Sequence, residues 1–318
     1  MLTKNGNLFF VLGFMLVFMF TSCVTDEDEN GIGGSGSNGD PFSVKSQTGW
    51  NEVCSIINKG GSGKEYIINI SGNFSVSGTS EYRNTFGSVS NVTITLLGNN
   101  NTISLSSSGY LLNIGNSHTV IIKDLTLKGF AANNGGVVNN KNHFTMQGNS
   151  SITGNIGGPG VNTSGFSSAT FIMQDNSSIT NNTDTYGGGG GVLVSSGTFI
   201  MQDNASISNN ITSGNGGGVY VSGAIFTMQG GSIFGNKANG DGIGGGGGGV
   251  YLSTIGAPTF NKTGGIIYGS GEGANSNTTM RRGHAIYQDG HLGSSTYWRN
   301  ATAGHDINTT SNDFWLKD

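Results

Sequence analysis

The sequence predicts an all-β fold, a single-stranded right-handed parallel β-helix with three strands in each coil. The first observation is a repeat: a Phe-Ile/Thr-Met-Gln motif occurs four times, at intervals of 27, 28 and 27 residues. The second is that each copy is followed by Ser-Ile, an Asn, several glycines and a Val. Self-similarity at this period is typical of solenoids, propellers and arrays. The four copies begin at Phe144, Phe171, Phe199 and Phe226.

The third observation is a hydrophobic period of two inside each repeat. Phe199 and Met201 occupy alternate positions, as do Val219 and Val221 on either side of Tyr220. Alternation over short runs bounded by Gly, Asn and Ser indicates strands. A helix would need apolar residues at i, i+3 and i+4 and few glycines. Each repeat therefore holds three strands, which carry the Gly-Val-Tyr-Val, Phe-Thr-Met-Gln and Ser-Ile runs.

Stacking of the repeats explains how such short strands bury their apolar side chains. A single three-stranded unit has no partner for its apolar face. Units stacked about 4.8 Å apart place Phe on Phe, Met on Met and Ile on Ile in one continuous core. Parallel crossovers of this kind are right-handed. A propeller blade needs about 40 residues, which is more than this repeat offers, and leucine is too scarce for a leucine-rich repeat.

The chain on either side of the repeats continues the pattern less regularly. We predict one domain over 42–318, with regular repeats over about 135–268. After Val250 the pattern decays, and Phe314 to Leu316 are expected to cover the far end. Short β-branched runs indicate earlier coils at 66–70, 92–96, 103–105, 120–122 and 125–127.

A helix over about 48–58 is predicted to cap the other end, because a solenoid needs its open ends covered. Thr48 would open this helix and Gly60 would close it. Cys54 lies within it and is expected to be a small buried apolar group. The apolar residues on its predicted inner face are Trp50, Val53, Ile56 and Ile57.

Three segments support a resemblance to known proteins: Gly217 to Tyr220, Gly248 to Tyr251, and His284 to Tyr287. They resemble the Gly-Gly-x-Val/Ile-Tyr repeats of bacterial surface proteins, including the polymorphic outer-membrane protein repeats. More broadly, residues 42–318 resemble the pectin-lyase-like right-handed β-helix superfamily. The chain departs from the polymorphic repeats because it lacks a regular Phe-x-x-Asn tetrapeptide and a C-terminal set of amphipathic strands. The resemblance implies a parallel β-helix and, for the enzymes of the superfamily, acidic polysaccharide substrates.

The N-terminal residues 1–22 are predicted to be a lipoprotein signal peptide, with a cation at Lys4 and an apolar stretch that is short for a membrane span. Cys23 follows Thr-Ser and resembles the lipidated cysteine of a bacterial lipobox. Residues 23–41 are acidic and then rich in Gly and Ser, which predicts a flexible tether. The resemblance implies anchoring of Cys23 in the outer membrane of a bacterium. The acidic run after it favours exposure at the cell surface, and a solvated spacer is the alternative.

Composition narrows the function classes. The chain has 14 Lys and Arg, 18 Asp and Glu, and a formal net charge of −4. Nucleic-acid binding needs a basic surface, so this partner is excluded. Two cysteines, one of them the predicted lipidation site, leave no disulfide framework. We expect a monomer.

The chemistry implied by the superfamily is sparse in this sequence. Lyases of this fold hold calcium with clustered carboxylates, and the best candidates are Asp175 and Asp203, which follow Met-Gln in neighbouring repeats. No Arg or Lys accompanies them, so two solvated turn aspartates are the simpler interpretation, and we expect no cofactor. Of the elements found in hydrolases of the fold, Asn182 to Asp184 matches one in letters only. The five histidines share no metal-ligand spacing. Catalysis is therefore not favoured.

Two features favour binding instead. The outward position of the Gly-Val-Tyr strand carries Tyr220, Tyr251 and Tyr287, with Leu193 one coil earlier, and such a column could stack sugar rings or contact a protein. The turn before this strand varies most in length and contains Tyr186. The repeated Asn residues are expected to form an internal amide ladder instead of a binding site. They are Asn155, Asn182, Asn210 and Asn236.

Together these patterns predict a bacterial lipoprotein whose exported β-helix works as a non-catalytic, adhesive or ligand-binding surface. The ligand would be a glycan or a protein of a host or cell surface. Two alternatives stay open: an enzyme acting on acidic polysaccharide, and a structural spacer.

Overall fold

The computed structural model describes residues 32–115, 117–240, 246–280, 283–288 and 296–298 of the 318-residue chain. These residues form a right-handed parallel β-helix of about eight turns, with one α-helix near the N-terminal end. The predicted fold class is therefore confirmed. Strands are numbered in chain order below.

Sheet 1 has ten strands, parallel except for the first pair, and carries the Phe-x-Met motif. Its strands are β1 (Ile32–Gly33), β2 (Phe42–Val44), β3 (Glu65–Ile70), β5 (Thr93–Leu97), β8 (Thr119–Lys123), β11 (His143–Gln147), β15 (Thr170–Met173), β19 (Thr198–Met201), β23 (Ile225–Met228) and β27 (Thr259–Lys262).

Sheets 2 and 3 have eight strands each. Sheet 2, which carries the Val-Tyr-Val motif, consists of β7 (Leu112–Ile114), β10 (Val138–Asn140), β14 (Val161–Thr163), β18 (Val192–Val194), β22 (Val219–Val221), β26 (Val250–Leu252), β30 (Ile286–Gln288) and β31 (Thr296–Trp298). Sheet 3, which carries the Ser-Ile motif, consists of β4 (Phe74–Val76), β6 (Thr102–Leu105), β9 (Thr126–Lys128), β12 (Ser151–Thr153), β16 (Ser178–Thr180), β20 (Ser206–Ser208), β24 (Ser232–Phe234) and β28 (Ile266–Ile267).

A fourth, five-stranded sheet was not predicted. Its strands have two residues each, too few for an alternating pattern to be recognisable in the sequence. They follow directly after the turns that contain the repeated Asn residues. They are β13 (Ile156–Gly157), β17 (Thr183–Asp184), β21 (Ile211–Thr212), β25 (Lys237–Ala238) and β29 (Thr278–Thr279).

The core contains like side chains stacked coil on coil, as predicted. Phe171 pairs with Phe199 and Phe199 with Phe226 in register. Along the five-ring column from Phe144 to Phe260, ring centroids lie 5.4, 4.8, 4.7 and 4.8 Å apart, with planes within 15° of parallel. These spacings match the distance between paired strands, so the backbone ladder itself sets the stacking. All five rings are buried.

The repeated Asn residues form the predicted amide ladder. The side-chain oxygen of Asn210 accepts from the backbone N–H and the side-chain amide of Asn182, both at 3.0 Å. The side-chain oxygen of Asn236 accepts the same two hydrogen bonds from Asn210, and that of Asn277 accepts them from Asn236. All are fully buried. Because each amide satisfies backbone groups in the neighbouring coil, the ladder holds the turn between sheets 3 and 4.

Helix α1 (Gln47–Lys59) covers the N-terminal end of the β-helix, as predicted. Its N-cap is Ser46, whose hydroxyl accepts from the backbone N–H of Gly49 at 3.1 Å, so Thr48 lies inside the helix and does not open it. The helix ends at Gly60. Serine with an extended backbone is a preferred N-cap, which explains why the helix begins before Thr48.

The inner face of α1 consists of Trp50, Val53 and Ile57, all buried. Ile56 was predicted to join them, but it is 39% exposed, because it falls at the edge of the apolar stripe. Cys54 is half-buried and packs against the core, and burial raises the pKa of its thiol.

Part of the segment predicted as a tether is a strand. Strand β1 pairs antiparallel with β2, and Ile32 is buried, so the predicted tether over 23–41 includes part of a hairpin. The turn is held by the carbonyl of Asp40, which accepts from the backbone N–H groups of Ser35 and Gly36. The Gly and Ser residues of this segment therefore supply turn conformations and not only flexibility.

The far end departs from the repeat as well. Strand β31 pairs antiparallel with β30, and Lys262 continues the stacked methionine column as a buried residue. Phe314 to Leu316, predicted to cover this end, lie outside the described residues. No helix in the described part of the chain has the length and apolar character needed to cross a membrane.

Candidate functional site: a trough outside sheet 2

The middle residue of each parallel strand of sheet 2 points away from the core, because its two neighbours point inward. In-register pairing places these outward residues in one column parallel to the helix axis. From the N-terminal end the column reads Asn113, Asn139, Asn162, Leu193, Tyr220, Tyr251 and Tyr287. The outer column thus changes from amide to apolar to aromatic along the helix.

The three predicted tyrosines do stack, but they are not equally accessible. Ring centroids lie 5.0 Å apart between Tyr220 and Tyr251, and 5.5 Å apart between Tyr251 and Tyr287. Tyr220 is half-buried, whereas Tyr251 is 4% and Tyr287 5% exposed. The three tyrosines were predicted as outward-facing contact residues, and of these Tyr220 is the accessible member.

Stacking explains this burial, because the ring of Tyr251 lies between those of Tyr220 and Tyr287, and the strand that carries Tyr287 is paired on its other side with β31. Glycine loops also lie against the base of each side chain. A Cβ placed on Gly247 would come within 2.8 Å of the Cβ of Tyr251, and one on Gly283 within 2.7 Å of the Cβ of Tyr287. The loop backbone thus lies directly against the base of each ring. Both glycines have positive φ, 69° and 68°, which side-chain-bearing residues rarely adopt.

A cleft of about 390 Å³ opens beside Tyr220 on the N-terminal side. We call it the Tyr220 cleft. Its apolar lining consists of Tyr110, Pro159, Leu193 and Tyr220, and Tyr186 stands at its rim with 71% of its surface exposed. Tyr186 was predicted as a site residue, and the structure brings it together with Tyr220 and Leu193.

Close approach of glycines keeps this cleft open. A Cβ on Gly188 would lie 3.6 Å from Leu193 and 3.9 Å from the ring of Tyr220. One on Gly135 would lie 3.1 Å from the ring of Tyr110. Side chains at these two positions would therefore occupy space in front of the lining residues. The glycine-rich loops offer few side chains, but they leave room for a ligand.

Asp184 holds the loop that forms one wall of the cleft. Its carboxylate accepts from the backbone N–H groups of Tyr186, Gly187 and Gly188 at 3.2, 2.8 and 2.7 Å, and from the Thr212 hydroxyl at 3.1 Å. Asp184 is buried. Four donors satisfy this carboxylate, so its role is to shape the loop.

A second cleft of about 430 Å³ continues the first toward the N-terminal end. We call it the Tyr82 cleft; it shares Tyr110, Asn134 and Gly135 with the Tyr220 cleft. Together the two form the trough. The Tyr82 cleft also contains Glu81, Ser108 and Tyr82, and Tyr82 is 89% exposed.

The Tyr82 cleft is formed by a long excursion of the chain over 77–91, which takes the place of a sheet 2 strand in the first coil. The amide nitrogen of Asn113 donates to three carbonyls of this excursion, those of Ser80, Glu81 and Arg83, at 3.0, 3.1 and 2.7 Å. Phe86 is buried, with its ring centroid 5.8 Å from that of Trp50. The excursion is therefore fastened to both the sheet and the capping helix.

The electrostatics of the Tyr82 cleft centre on Glu81. A hydrogen bond with the Glu81 carboxylate raises the pKa of Tyr82, and the negative charge adds to this. Burial raises the pKa of Tyr110, again with a contribution from the charge of Glu81. Sequence analysis missed both tyrosines. The available signals were the length of the 77–91 segment between strands and the position of Tyr110 directly before an apolar strand.

Asp175 and Asp203 lie on a different ridge, between sheets 1 and 3. Asp175 accepts from the backbone N–H of Gly148 at 2.8 Å, and Asp203 from that of Asp175 at 3.0 Å. Both have positive φ, 56° and 54°, a conformation that Asp and Asn tolerate best after Gly. Each carboxylate thus stabilises a turn of the preceding coil. A calcium ion between them stays a prediction; the described residues contain no group of three His, Cys, Asp or Glu side chains that could hold a metal.

His118 is buried, and its Nε2 lies 2.8 Å from the carbonyl oxygen of Val89. Desolvation lowers the pKa of this histidine. It packs edge-on to Phe86 below the excursion, so its role here is structural. Cys23, His291 and His305 lie outside the described residues.

Comparison of the chain with models of known families, with curated proteins and with solved structures returned no match. The site therefore has to be interpreted from its own geometry.

Proposed function

We propose that this protein is a non-catalytic binding protein of a bacterial cell surface, which holds a glycan or a protein segment in the trough. The observation that carries the proposal is the Tyr220 cleft, where Tyr220, Leu193 and Tyr186 lie between glycine loops. Concave surfaces with aromatic and aliphatic lining and a few polar groups are the usual form of ligand sites.

The state of the acidic side chains in the trough supports binding over hydrolysis. Two carboxylates line it, those of Glu81 and Asp184. Asp184 is buried and accepts four hydrogen bonds, so it is not free to transfer a proton or attack a sugar. Paired-carboxylate hydrolysis needs two available carboxyl groups on either side of the bond that breaks.

The proposed location follows from the N-terminal sequence. Residues 1–22 would direct export, and Cys23 would carry the lipid that anchors the chain in the outer membrane. With Ile32 already in strand β1, the tether would be short and would hold the capped end of the β-helix near the membrane. Membership of the pectin-lyase-like superfamily, and kinship with the Gly-Gly-x-Val/Ile-Tyr surface repeats, belong to the same proposal.

The binding proposal is tested with arrays of glycans and of extracellular-matrix proteins, probed with the full-length lipoprotein in detergent. We expect a hit that Tyr220→Ala weakens about tenfold, which corresponds to about 1.4 kcal/mol. The matched control is Phe166→Ala, because Phe166 is 78% exposed but lies on the turn at the opposite edge of sheet 2. Equal loss in both variants, or depolymerisation of a polysaccharide on the array, would contradict the proposal.

The location is tested on intact cells. Incorporation of a fatty-acid analogue is expected in the natural protein and not in Cys23→Ser. Added protease is expected to remove the β-helix from cells that remain sealed. Labelling that persists in the variant would contradict the anchor, and full protection from protease would contradict surface display.

A further inference from the structure

We propose that the trough binds a neutral, hydroxyl-rich polysaccharide chain lying parallel to the helix axis, and that Asn162 accepts a hydrogen bond from it. This inference rests on the proposed binding function and narrows it to one class of ligand. It depends on three properties of the trough: its length, the spacing of its aromatic rings, and two hydrogen-bond acceptors on its wall, the side-chain oxygen of Asn162 and the carboxylate of Glu81.

The trough is long and narrow. It runs from the excursion at Tyr82 through Tyr110, Pro159 and Leu193 to Tyr220, and so crosses six successive rows of chain. Five spacings of about 4.8 Å give a length of about 24 Å. This shape suits an extended polymer better than a compact small molecule.

Four tyrosines line this path at intervals. Tyr82 and Tyr186 are mostly exposed, and Tyr110 and Tyr220 are half-buried. Tyrosine rings offer an apolar face with a polar edge. Sugar rings combine an apolar face of C–H groups with hydroxyls around the rim, so they match such platforms. Because the rings occupy different rows, a chain of several sugars could contact more than one of them.

One polar atom of the trough lining is a hydrogen-bond acceptor without a donor. The side-chain oxygen of Asn162 is buried in the structure and has no hydrogen-bond partner. Of the five such atoms found among the described residues, it alone belongs to the trough lining. Its counterparts one and two coils earlier are satisfied, since Asn139 donates to Asn113 at 3.0 Å and accepts from Ser164 at 3.3 Å.

A buried acceptor without a partner costs free energy until a donor reaches it. Asn162 is half-buried on the wall of the Tyr220 cleft, and rotation of its amide would bring the covered oxygen within reach of a donor on a ligand there. The other acceptor is the charged carboxylate of Glu81, which lies in the Tyr82 cleft. Hydroxyl groups can donate to both.

The charge in the trough argues against an acidic polymer. A uronate chain would bring carboxylates against Glu81 and acceptor oxygens against Asn162, and neither contact is favourable. Two cations lie near this surface: Arg83, beside Gly78 and Ser80, and Lys141, whose ammonium donates to the carbonyl of Glu81 at 3.0 Å. Neither is among the residues that line the trough. Neutral chains avoid this repulsion.

The test is affinity electrophoresis of the full-length lipoprotein in detergent, through gels containing a neutral β-glucan, mannan, xylan or galactan, or containing polygalacturonate or alginate. We expect retardation by at least one neutral polymer and none by the two acidic ones. Asn162→Leu is the informative variant, because Leu193 occupies the same column position one coil later and shows that the fold accepts leucine there. It should weaken retardation about tenfold.

Two further variants separate occupation of the trough from damage to it. Gly188→Leu fills the cleft without straining the backbone, since Gly188 does not have positive φ, and should abolish retardation. Tyr82→Ala should weaken binding of long chains about tenfold and leave short oligosaccharides unaffected. Phe166→Ala is the control, and unchanged thermal unfolding of every variant shows that the fold is retained.

The outcomes separate this inference from the proposed function. Retardation by acidic polymers, or by neutral ones without any effect of Asn162→Leu, overturns the inference while a Tyr220-dependent hit preserves the binding function. Binding of a protein ligand that depends on Tyr220 would likewise overturn the inference and preserve the binding function. Loss of every Tyr220-dependent interaction overturns both.

Discussion

The coils from Phe144 to Ile267 and the coils before them form the same β-helix in different ways. In the later coils most interior positions of sheets 1 and 3 keep one residue type, so that Phe, Met and Ile stack on themselves, as the Asn residues of the ladder do, and Lys262 ends the Met column. In the earlier coils the sheet 1 interior is mostly aliphatic after Phe42 and Tyr66, and Trp50, Phe86 and His118 fill the end with edge-on contacts. One continuous core is therefore built in two ways, by stacking identical residues in register and by packing different residues against one another.

The comparison also shows where function can arise. Interior columns have to match the 4.8 Å ladder, so they vary little. The outer column of sheet 2 has no such constraint, and it changes from Asn to Leu to Tyr near the junction of the two regions. The trough lies along this junction, with the excursion over 77–91 at one end and Tyr220 at the other.

The largest expected effect is on the stacked Phe column. Phe199→Ala removes a buried ring from between two others at 4.8 and 4.7 Å and should lower the free energy of unfolding by about 4 kcal/mol. Urea unfolding followed by circular dichroism measures it. The control is Ile200→Ala on the same strand, whose side chain points outward and is half-buried. Equal losses in both would mean that stacking of identical rings is not what supports the later coils.

The Asn ladder should come next. Asn210→Ala removes the acceptor for two donors of Asn182 and the amide that donates to Ile179 and Asn236, so buried polar groups lose their partners. We expect a loss of about 3 kcal/mol in the same assay. Asn204→Ala is the matched control, because Asn204 belongs to an exposed ladder with Asn176 and should change stability by less than about 0.5 kcal/mol.

A smaller effect is expected at the turn aspartates. Asp203→Ala loses the hydrogen bond to the backbone of Asp175 and places alanine at a φ of 54°, for a combined cost of about 2 kcal/mol. Asp203→Gly loses the same bond but tolerates the φ, so it should cost about 1 kcal/mol less than the alanine variant. Added calcium should leave the unfolding midpoint unchanged. A midpoint that rises with calcium in the natural protein only would instead establish a metal site at Asp175 and Asp203.

The smallest effect tests the mixed packing of the earlier coils. Burial lowers the pKa of His118, so the folded state favours the neutral ring. Its contribution to stability is complete above the unfolded-state pKa of about 6.5, and declines as pH falls from there toward the lower folded-state pKa. Unfolding midpoints at pH 7.5 and 5.5 should differ less in His118→Gln than in the natural protein. His143→Gln, on the next coil, is the control, and an unaltered pH difference in His118→Gln would contradict the assignment.

Much of the fold could be predicted because the same sequence pattern occurs four times at nearly equal intervals. The Phe, Met and Ile columns and the Asn ladder all follow from stacking equal positions. The fourth sheet could not be predicted, since two-residue strands have no period. The start of α1 at Ser46 in place of Thr48, and the exposure of Ile56, depend on local hydrogen bonds and on which part of a broad apolar stripe meets the core.

The candidate site was predictable only in part. Tyr220, Leu193 and Tyr186 were identified from column position and loop length, and the structure brings them together around one cleft. Tyr82 and Tyr110 were missed because the 77–91 excursion has no repeat to align it. Tyr251 and Tyr287 were expected to contact a ligand, but both are buried, Tyr251 between two stacked rings and Tyr287 on a strand that β31 covers.

The sequence by itself determined the architecture of this protein, because hydrophobic alternation and a period of 27 or 28 residues leave stacked parallel coils as the only way to bury each repeat. Tertiary structure alone decided which outward residues are accessible. Accessibility depends on where irregular loops pass over the column, and those paths are set by contacts such as Asn113 with the excursion and Asp184 with its loop, between residues that no sequence period relates.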